Sequence, residues 1–498
     1  MKKYKIEVTA PASAYETGEL AKMFLPPEQF ITEEKNENEA SDLCRSFSLL
    51  RADCEEVSGP GEIDDGEFTD ITPPSGEYIY SGPVEEKDKK KIYKNAVKRG
   101  VYKALSRDCG KELPWGILTG VKPVKIVREL EDRGLNEKEI FDYMKDYYFV
   151  SDEKINLLLK ILGIQRPYNR PERGFSEKAG IYLGIPFCPT RCVYCSFTSN
   201  VAKEGEIDRY LEALYSEIDF VSGAMKRGGT KIETFYIGGG TPTSLDERQL
   251  DGLLSKIFSS FDLEGLEEFT VEAGRPDTIN REKLEIIKSH GIERISINPQ
   301  SMNAKTLEAI GRRHRPEDIC DAYEEARRAG IKNINMDLIA GLPGESPEDF
   351  TRTLNLVSEM NPENVTVHTL ALKRASRLRE EDRDYNYREA ERLSSMVDAS
   401  FALLSSKGYR PYYLYRQKYM AGNFENVGWA KPGTECIFNM RTMDERQETV
   451  ALGAGGISKR WFPEENRIER AANVSNYEIY IERLDEMKSR KIKLFDWI

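Results

Sequence analysis

Between positions 181 and 370, short apolar runs alternate with longer stretches of helical period, and that rhythm leaves few folds open. The runs at 181–185, 234–237, 268–271, 295–297, 334–339 and 365–370 are too short for helices and read as buried strands. Between them, 207–225, 247–261, 281–289, 304–329 and 347–360 read as helices, with one interruption near Gly311. A parallel strand pair needs a crossover, and a right-handed helical crossover supplies it, so strict alternation builds a parallel sheet. Six such units predict an α/β chain with a partial (β/α)6 barrel of the TIM type.

In such barrels the functional groups gather at the C-terminal ends of the strands. Cys188, Cys192 and Cys195 follow the first strand at C-x3-C-x2-C spacing. Three thiolates in one loop can hold three irons of a cubane and leave the fourth iron open to a substrate. Structural zinc wants a fourth Cys or His, and His290, His314 and His368 are far away in sequence. A disulfide with a spare thiol suits a small secreted domain better than a chain of 498 residues.

The other strand ends carry unusual residues in the same register. Gly238-Gly239-Gly240-Thr241-Pro242 follows the second, Glu272 closes the third and Gln300 the fourth, Asp337 lies near the end of the fifth, and Ala371 ends the sixth. Gly239 and Gly240 let backbone come close to a ligand. Glu272 and Asp337 are acceptors suited to an amino group or ribose hydroxyls, and the Arg312 fork matches a carboxylate. Tyr182 and Tyr194 are placed to pack around a cluster and its cofactor. Singly these are a turn, a helix cap and a surface basic patch; only their joint placement is specific.

The flanks lack this rhythm. Residues 1–175 read as an α+β extension with a strand at 3–9, a helix at 85–107 stopped by Gly110, a Gly/Pro-rich loop (ELPWGILTGVKPVKIV), and helices at 137–148 and 151–162. The barrel is assigned to 176–373. Residues 374–498 read as a C-terminal α/β appendage on the substrate side, with helices at 385–406 and 477–491 and a strand at 409–415. A net charge of −12 argues against a nucleic-acid partner, and the local basic run at 87–98 reads as a solvated helix face. No apolar run has the length of a membrane span and the N-terminus has no signal-peptide core, so the expected location is the cytoplasm. Cys44, Cys54, Cys109, Cys320 and Cys436 are scattered, as expected of thiols in a reducing compartment.

The three-cysteine loop, GGGTPT and the barrel together resemble the radical S-adenosylmethionine (SAM) superfamily. YLGIPFCPTRCVYC, EAGRPDT, INPQS, IGRRH, NMDLIAGLP and HTLAL follow in the order of the oxygen-independent coproporphyrinogen III dehydrogenase family, in its longer oxidase-like branch with an N-terminal extension. The resemblance implies a [4Fe–4S] cluster on Cys188, Cys192 and Cys195, with SAM on Tyr182, Gly239 and Glu272. The family carries one SAM or two, and contacts to a second would fall on Tyr194, Gly240, Thr241, Gln300, Arg312, Asp337 and Ala371. The implied reaction is oxidative decarboxylation of coproporphyrinogen III propionates to vinyl groups, fed by a low-potential donor such as flavodoxin or ferredoxin. A heme-binding chaperone of the same branch and a radical SAM methyltransferase or other tetrapyrrole-modifying enzyme are the alternatives. Three features depart from the family: Gly184 replaces a histidine, Phe197 replaces a further cysteine of some members, and the extension does not visibly match.

Overall fold

The computed structural model describes residues 4–9, 14–25, 29–35, 48–51, 56–58, 86–119, 122–169, 177–195, 200–371, 378, 390–416 and 424–497. Phe197 and the turn signals near 60 and 73 lie outside them. The chain divides into two units, Met1–Leu162 with Arg416–Lys418, and Gly163–Tyr415 with Tyr419–Ile498.

In the first unit, β1 (Tyr4–Thr9) pairs in parallel with β2 (Phe30–Lys35) and antiparallel with β3 (Ser48–Arg51), which pairs with β4 (Glu56–Ser58). Only β1 has a clear alternating signature; β2 ends in TEEK, and β3 and β4 are too short for a period to show. The expected helix runs Glu86–Cys109 and stops at Gly110, whose φ of 61° suits a residue without Cβ. Within the basic run, Lys94 meets Glu16 at 3.2 Å and Lys91 meets Glu129 at 3.9 Å. These are weak surface pairs. Asn136 and Glu139 cap Glu137–Tyr148 reciprocally, and Asp152–Gln165 follows.

The second unit contains all six expected parallel strands: β5 (Lys178–Ile185), β6 (Lys231–Gly239), β7 (Glu268–Gly274), β8 (Arg294–Ile297), β9 (Asn333–Ala340) and β10 (Asn364–Thr369). They are neighbours in chain order and every pairing is parallel. The helices Glu206–Gly228, Glu247–Ser260, Arg281–Ser289, Pro316–Arg328 and Pro347–Met360 lie between them, and Ala304–Ala309 forms the short piece before Gly311. The outward residues of β5, Ile181, Leu183 and Ile185, are fully buried.

The C-terminal part extends this sheet at both edges. β11 (Arg410–Tyr415) and β12 (Asn426–Ala430) add antiparallel strands beside β10. At the other edge β13 (Glu448–Leu452) runs parallel to β5, followed by the antiparallel β14 (Ile457–Phe462) and β15 (Arg467–Ala472). A seventh parallel strand therefore arrives after the βα rhythm has ended, which local periodicity cannot reveal.

Between these edges, the helix Ile437–Asp444 docks on Glu268 of β7, which accepts from the Ile437 and Phe438 N–H groups at 2.9 and 3.1 Å. A carboxylate at a helix N-terminus satisfies orphan donors and the helix dipole together. The same helix sends Arg441 to fully buried Glu233 through two 2.8 Å contacts. Phe438 stacks on Tyr236, with ring centroids 4.6 Å apart.

The expected helix at 477–491 is broken at Arg483 into Tyr477–Glu482 and Leu484–Phe495. Tyr480 OH and Lys491 Nζ both reach the buried Glu217 carboxylate, at 2.6 and 2.7 Å. On one straight helix those residues would stand about 16 Å apart along the axis, so the bend lets them share one partner. Replacing Lys491 with Met leaves Glu217 buried without its cation. The chain should lose about 3 kcal/mol, seen as a lower urea midpoint; an unchanged midpoint would show the pair to be neutral.

Candidate active site

β5 delivers the cysteine loop. The loop is closed at its base, where Cys188 N–H donates to Asn200 O and Asn200 N–H to Pro186 O, both at 2.9 Å. Further round, Val193 N–H donates to Ile310 O (3.1 Å), and Val193 and Tyr194 pack on Leu307, Ile310, Ile339, Leu342 and Leu370. Arg275 pins the middle, giving Nη1 to the Thr190 hydroxyl at 2.8 Å and to its carbonyl at 3.2 Å. Asp277 fixes that guanidinium through a fork of 2.9 and 2.8 Å.

The three thiols are electrostatic neighbours. Burial pushes the Cys188 thiol up to about 11; the Thr241 hydroxyl, 3.3 Å away, draws it back, and Cys195 and Cys192 work against ionisation. Arg312 hydrogen-bonds Cys192 and Tyr194 and also reaches Asn298 O at 2.5 Å. Among the described residues no three His, Cys, Asp or Glu side chains converge closely enough for a single metal ion. A cubane spreads its cysteines over separate irons, so three neighbouring thiols round a loop suit a cluster, whose irons would replace their protons.

The turn after β6 shows why glycine is required there. A Cβ on Gly240 would stand 2.5 Å from Phe187 O, and one on Gly239, whose φ is 113°, would stand 2.9 Å from Ile185 O. The close neighbour is the backbone entering the cysteine loop. Gly240 N–H donates to Ile185 O (2.7 Å) and Thr241 N–H to Phe187 O (2.8 Å), so the two loops form one unit.

Within the mouth, Tyr182 lies opposite Tyr236, with rings stacked at 6.3 Å. Tyr236 OH donates to Glu272 Oε1 at 2.6 Å. Burial pushes the Glu272 carboxyl up to about 7; the Tyr236 hydroxyl and the Gly239 N–H draw it down, while Asp337 pushes it up. Asp337 is held below its ordinary value: burial opposes ionisation, but His368, Asn335 and Thr366 more than offset it. Gln300 adopts a φ of 67° and bridges to β9, with its N–H on Asp337 O (2.9 Å) and its carbonyl taking the Ile339 N–H (3.0 Å). Its Oε1 is buried with no hydrogen-bond partner among the described residues, an acceptor that points to an absent donor. Ala371 is half-buried, one residue beyond Leu370, whose N–H binds Ala340 O at 3.0 Å.

Sequence reasoning passed over several residues here. Arg275 and Asp277 sit inside the quoted EAGRPDT block. His368 Nε2 lies 3.7 Å from Asp337 Oδ2, and Tyr415 OH lies 3.2 Å from His368 Nδ1. His368 has no metal-ligand spacing to mark it, and Tyr415 comes from a later strand. Gly184 is explained as well. A Cβ there would stand 3.3 Å from Ala454 O, because the turn after β13 covers this end of β5. Gly184 O also accepts from Tyr210 OH at 2.6 Å.

A model of the Radical SAM superfamily matches residues 182–357. The oxygen-independent coproporphyrinogen-III oxidase-like protein HemZ of Bacillus subtilis is 37% identical over 463 residues, covering 92% of this chain and 91% of that protein. The chain belongs to this oxidase-like family of radical SAM proteins. The heme chaperone HemW of Bacillus subtilis is 37% identical over 193 residues, covering 39% of this chain and 50% of that one. Coproporphyrinogen III oxidase (HemN) from Escherichia coli, a radical SAM enzyme, shares the fold with a TM-score of 0.51 at 24% identity, over 63% of this chain and 71% of that one. The first 175 residues exceed a third of the 498, so a 92% match includes most of the N-terminal extension, which is thus shared with the HemZ protein. Superfamily membership implies a [4Fe–4S] cluster and SAM, and the thiol set and the orphan Gln300 acceptor fit such groups.

Two outcomes test this geometry. Gly240→Ala should cost about 2 kcal/mol through overpacking against Phe187 and lower the iron retained after anaerobic reconstitution; full iron retention would show that the turn can shift. Because Glu272 titrates near 7 when folded and near 4.5 ordinarily, its contribution to stability is complete below about 4.5 and declines as pH rises towards 7. Glu272→Gln should flatten that decline in the thermal midpoint, and an unaltered pH profile would place the proton elsewhere.

Proposed function

We propose that this chain catalyses the oxidative decarboxylation of coproporphyrinogen III propionates to vinyl groups, yielding protoporphyrinogen IX without oxygen. The observation that carries the reading is one continuous network from the three-cysteine loop to the acid pair of the mouth, in a chain of the oxidase-like family. Cys188, Cys192 and Cys195 would hold the cluster, and Tyr182, Gly239 and Glu272 the SAM at its open iron. Tyr194, Gly240, Thr241, Gln300, Arg312, Asp337 and Ala371 would contact a second SAM. When bound, cluster and SAM supply one-electron chemistry that removes a hydrogen atom from substrate carbon.

The chain's own residues bind, orient and exclude water. Glu272, titrating near neutrality, can accept a hydrogen bond from an ammonium group as it loses its proton. The stacked rings of Tyr182, Tyr236 and Phe438 make a dry wall beside it. Ionised Asp337 favours a proton on His368 Nε2, and the Tyr415 hydroxyl holds the other ring nitrogen at 3.2 Å, so the imidazole is fixed in orientation at the mouth. A heme-carrier reading would draw on Cys436 as a thiolate ligand. Its side chain is buried and donates to Glu268 Oε1 at 3.1 Å, and burial beside that carboxylate pushes its thiol far up, so it stays protonated.

Anaerobic incubation of the reconstituted protein with coproporphyrinogen III, SAM and dithionite should yield protoporphyrinogen IX and carbon dioxide, with SAM as the two-electron oxidant ending as methionine and 5′-deoxyadenosine. SAM cleavage with an unchanged porphyrinogen would sink the substrate assignment while leaving the radical chemistry intact.

A further inference from the structure

A cavity of about 570 Å³ lies against the cysteine loop, with Thr190 and Arg191 on one wall and Arg312, Arg313, His314 and Arg315 on the other. Its acidic lining residue is Glu308, and Arg315 also reaches Asp318 at 3.3 Å. A cavity lined by four arginines runs against the charge of a chain carrying −12. The His314 ring is almost wholly buried, and neither of its nitrogens has a hydrogen-bond partner among the described residues. Asp277 Oδ1 stands 4.0 Å from Nδ1, but that carboxylate already holds Arg275. A buried imidazole without a partner, set among guanidinium groups, points to an acceptor that arrives from outside. None of this lining except Arg312 enters the SAM assignments above.

The location identifies the visitor. Thr190 and Arg191 lie between the first two cysteines, so a group in the cavity is one short stretch of backbone from two thiols. A radical SAM cluster must be reduced from outside, and a macromolecular electron carrier has to approach the thiolates closely. We infer that this cavity is the docking site of an acidic one-electron carrier protein, whose carboxylate side chain enters to meet Arg313, Arg315 and the His314 ring. One electron passes from the reduced carrier to the oxidised cluster, and no bond is made or broken. The inference rests on the radical SAM reading and adds the surface through which it is supplied.

Flavodoxin is the probe. With the iron-loaded protein under anaerobic conditions, the combined changes Arg191→Glu, Arg313→Glu and Arg315→Glu should raise the Kd for flavodoxin, read by calorimetry, by about tenfold or more. Wild-type binding should weaken comparably as KCl rises from about 50 to about 300 mM. Excess dithionite, which needs no docking, should reduce the cluster to the same extent in variant and wild type, as followed by its visible absorbance. The corresponding triple change to Gln keeps the test available if the Glu variant loses iron, and it should raise Kd by about threefold or more. A Kd within about twofold of wild type in an iron-replete variant, or binding indifferent to salt, overturns the docking site while the cluster stands. Absence of cluster absorbance in the reconstituted wild type overturns the radical SAM reading and this inference with it.

Discussion

Two backbone hydrogen bonds hold the site together: Gly240 N–H to Ile185 O at 2.7 Å and Thr241 N–H to Phe187 O at 2.8 Å. They fasten the turn after β6 to the backbone where β5 becomes the cysteine loop. The approach is so close that a Cβ on Gly240 would strike Phe187 O, so glycine here is a packing requirement. From this junction the chemistry spreads in two directions. Thr241 leads to Cys188, while Gly239 leads to Glu272 and through it to Asp337. A shift of this turn would misplace thiol and carboxylate together.

The junction is supported from the C-terminal side. Fully buried Glu217 accepts from Gly453 N–H (2.7 Å), Asn473, Tyr480 and Lys491. Tyr210 OH joins Gly184 O to Ala454 N–H, at 2.6 and 3.0 Å. The turn after β13 is thereby fixed over the end of the strand that bears the cysteines. The same support bears on the missing histidine, since a Cβ at Gly184 would sit 3.3 Å from Ala454 O and needs that carbonyl to give by a few tenths of an ångström. A buried carboxylate with this many donors is costly to desolvate, and it holds one arrangement of the tail rather than several.

The six strands and the helices between them were legible because each buries its own face at its own period, a local property. The three cysteines were legible because their spacing lies within one loop. Arg275 was not, since its role depends on Thr190 lying 85 positions earlier in the chain. His368 and Tyr415 were not, since their meeting needs β10 and β11 at one edge of the sheet. The break at Arg483 was hidden for a similar reason: the sequence carries helical period through it, and the shared partner Glu217 belongs to another helix.

The sequence alone therefore determined a parallel βα barrel with a three-thiol loop and acidic strand ends, because hydrophobic period and ligand spacing are encoded between near neighbours. Only the tertiary structure decided that β13 makes a seventh parallel strand, that the glycines of 239 and 240 serve the cysteine loop, and that Gly184 is roofed by the tail. It also decided that Cys436 is sealed against Glu268. Each of these depends on groups brought together from distant parts of the chain, where burial and hydrogen bonding are set by packing and leave no periodic trace.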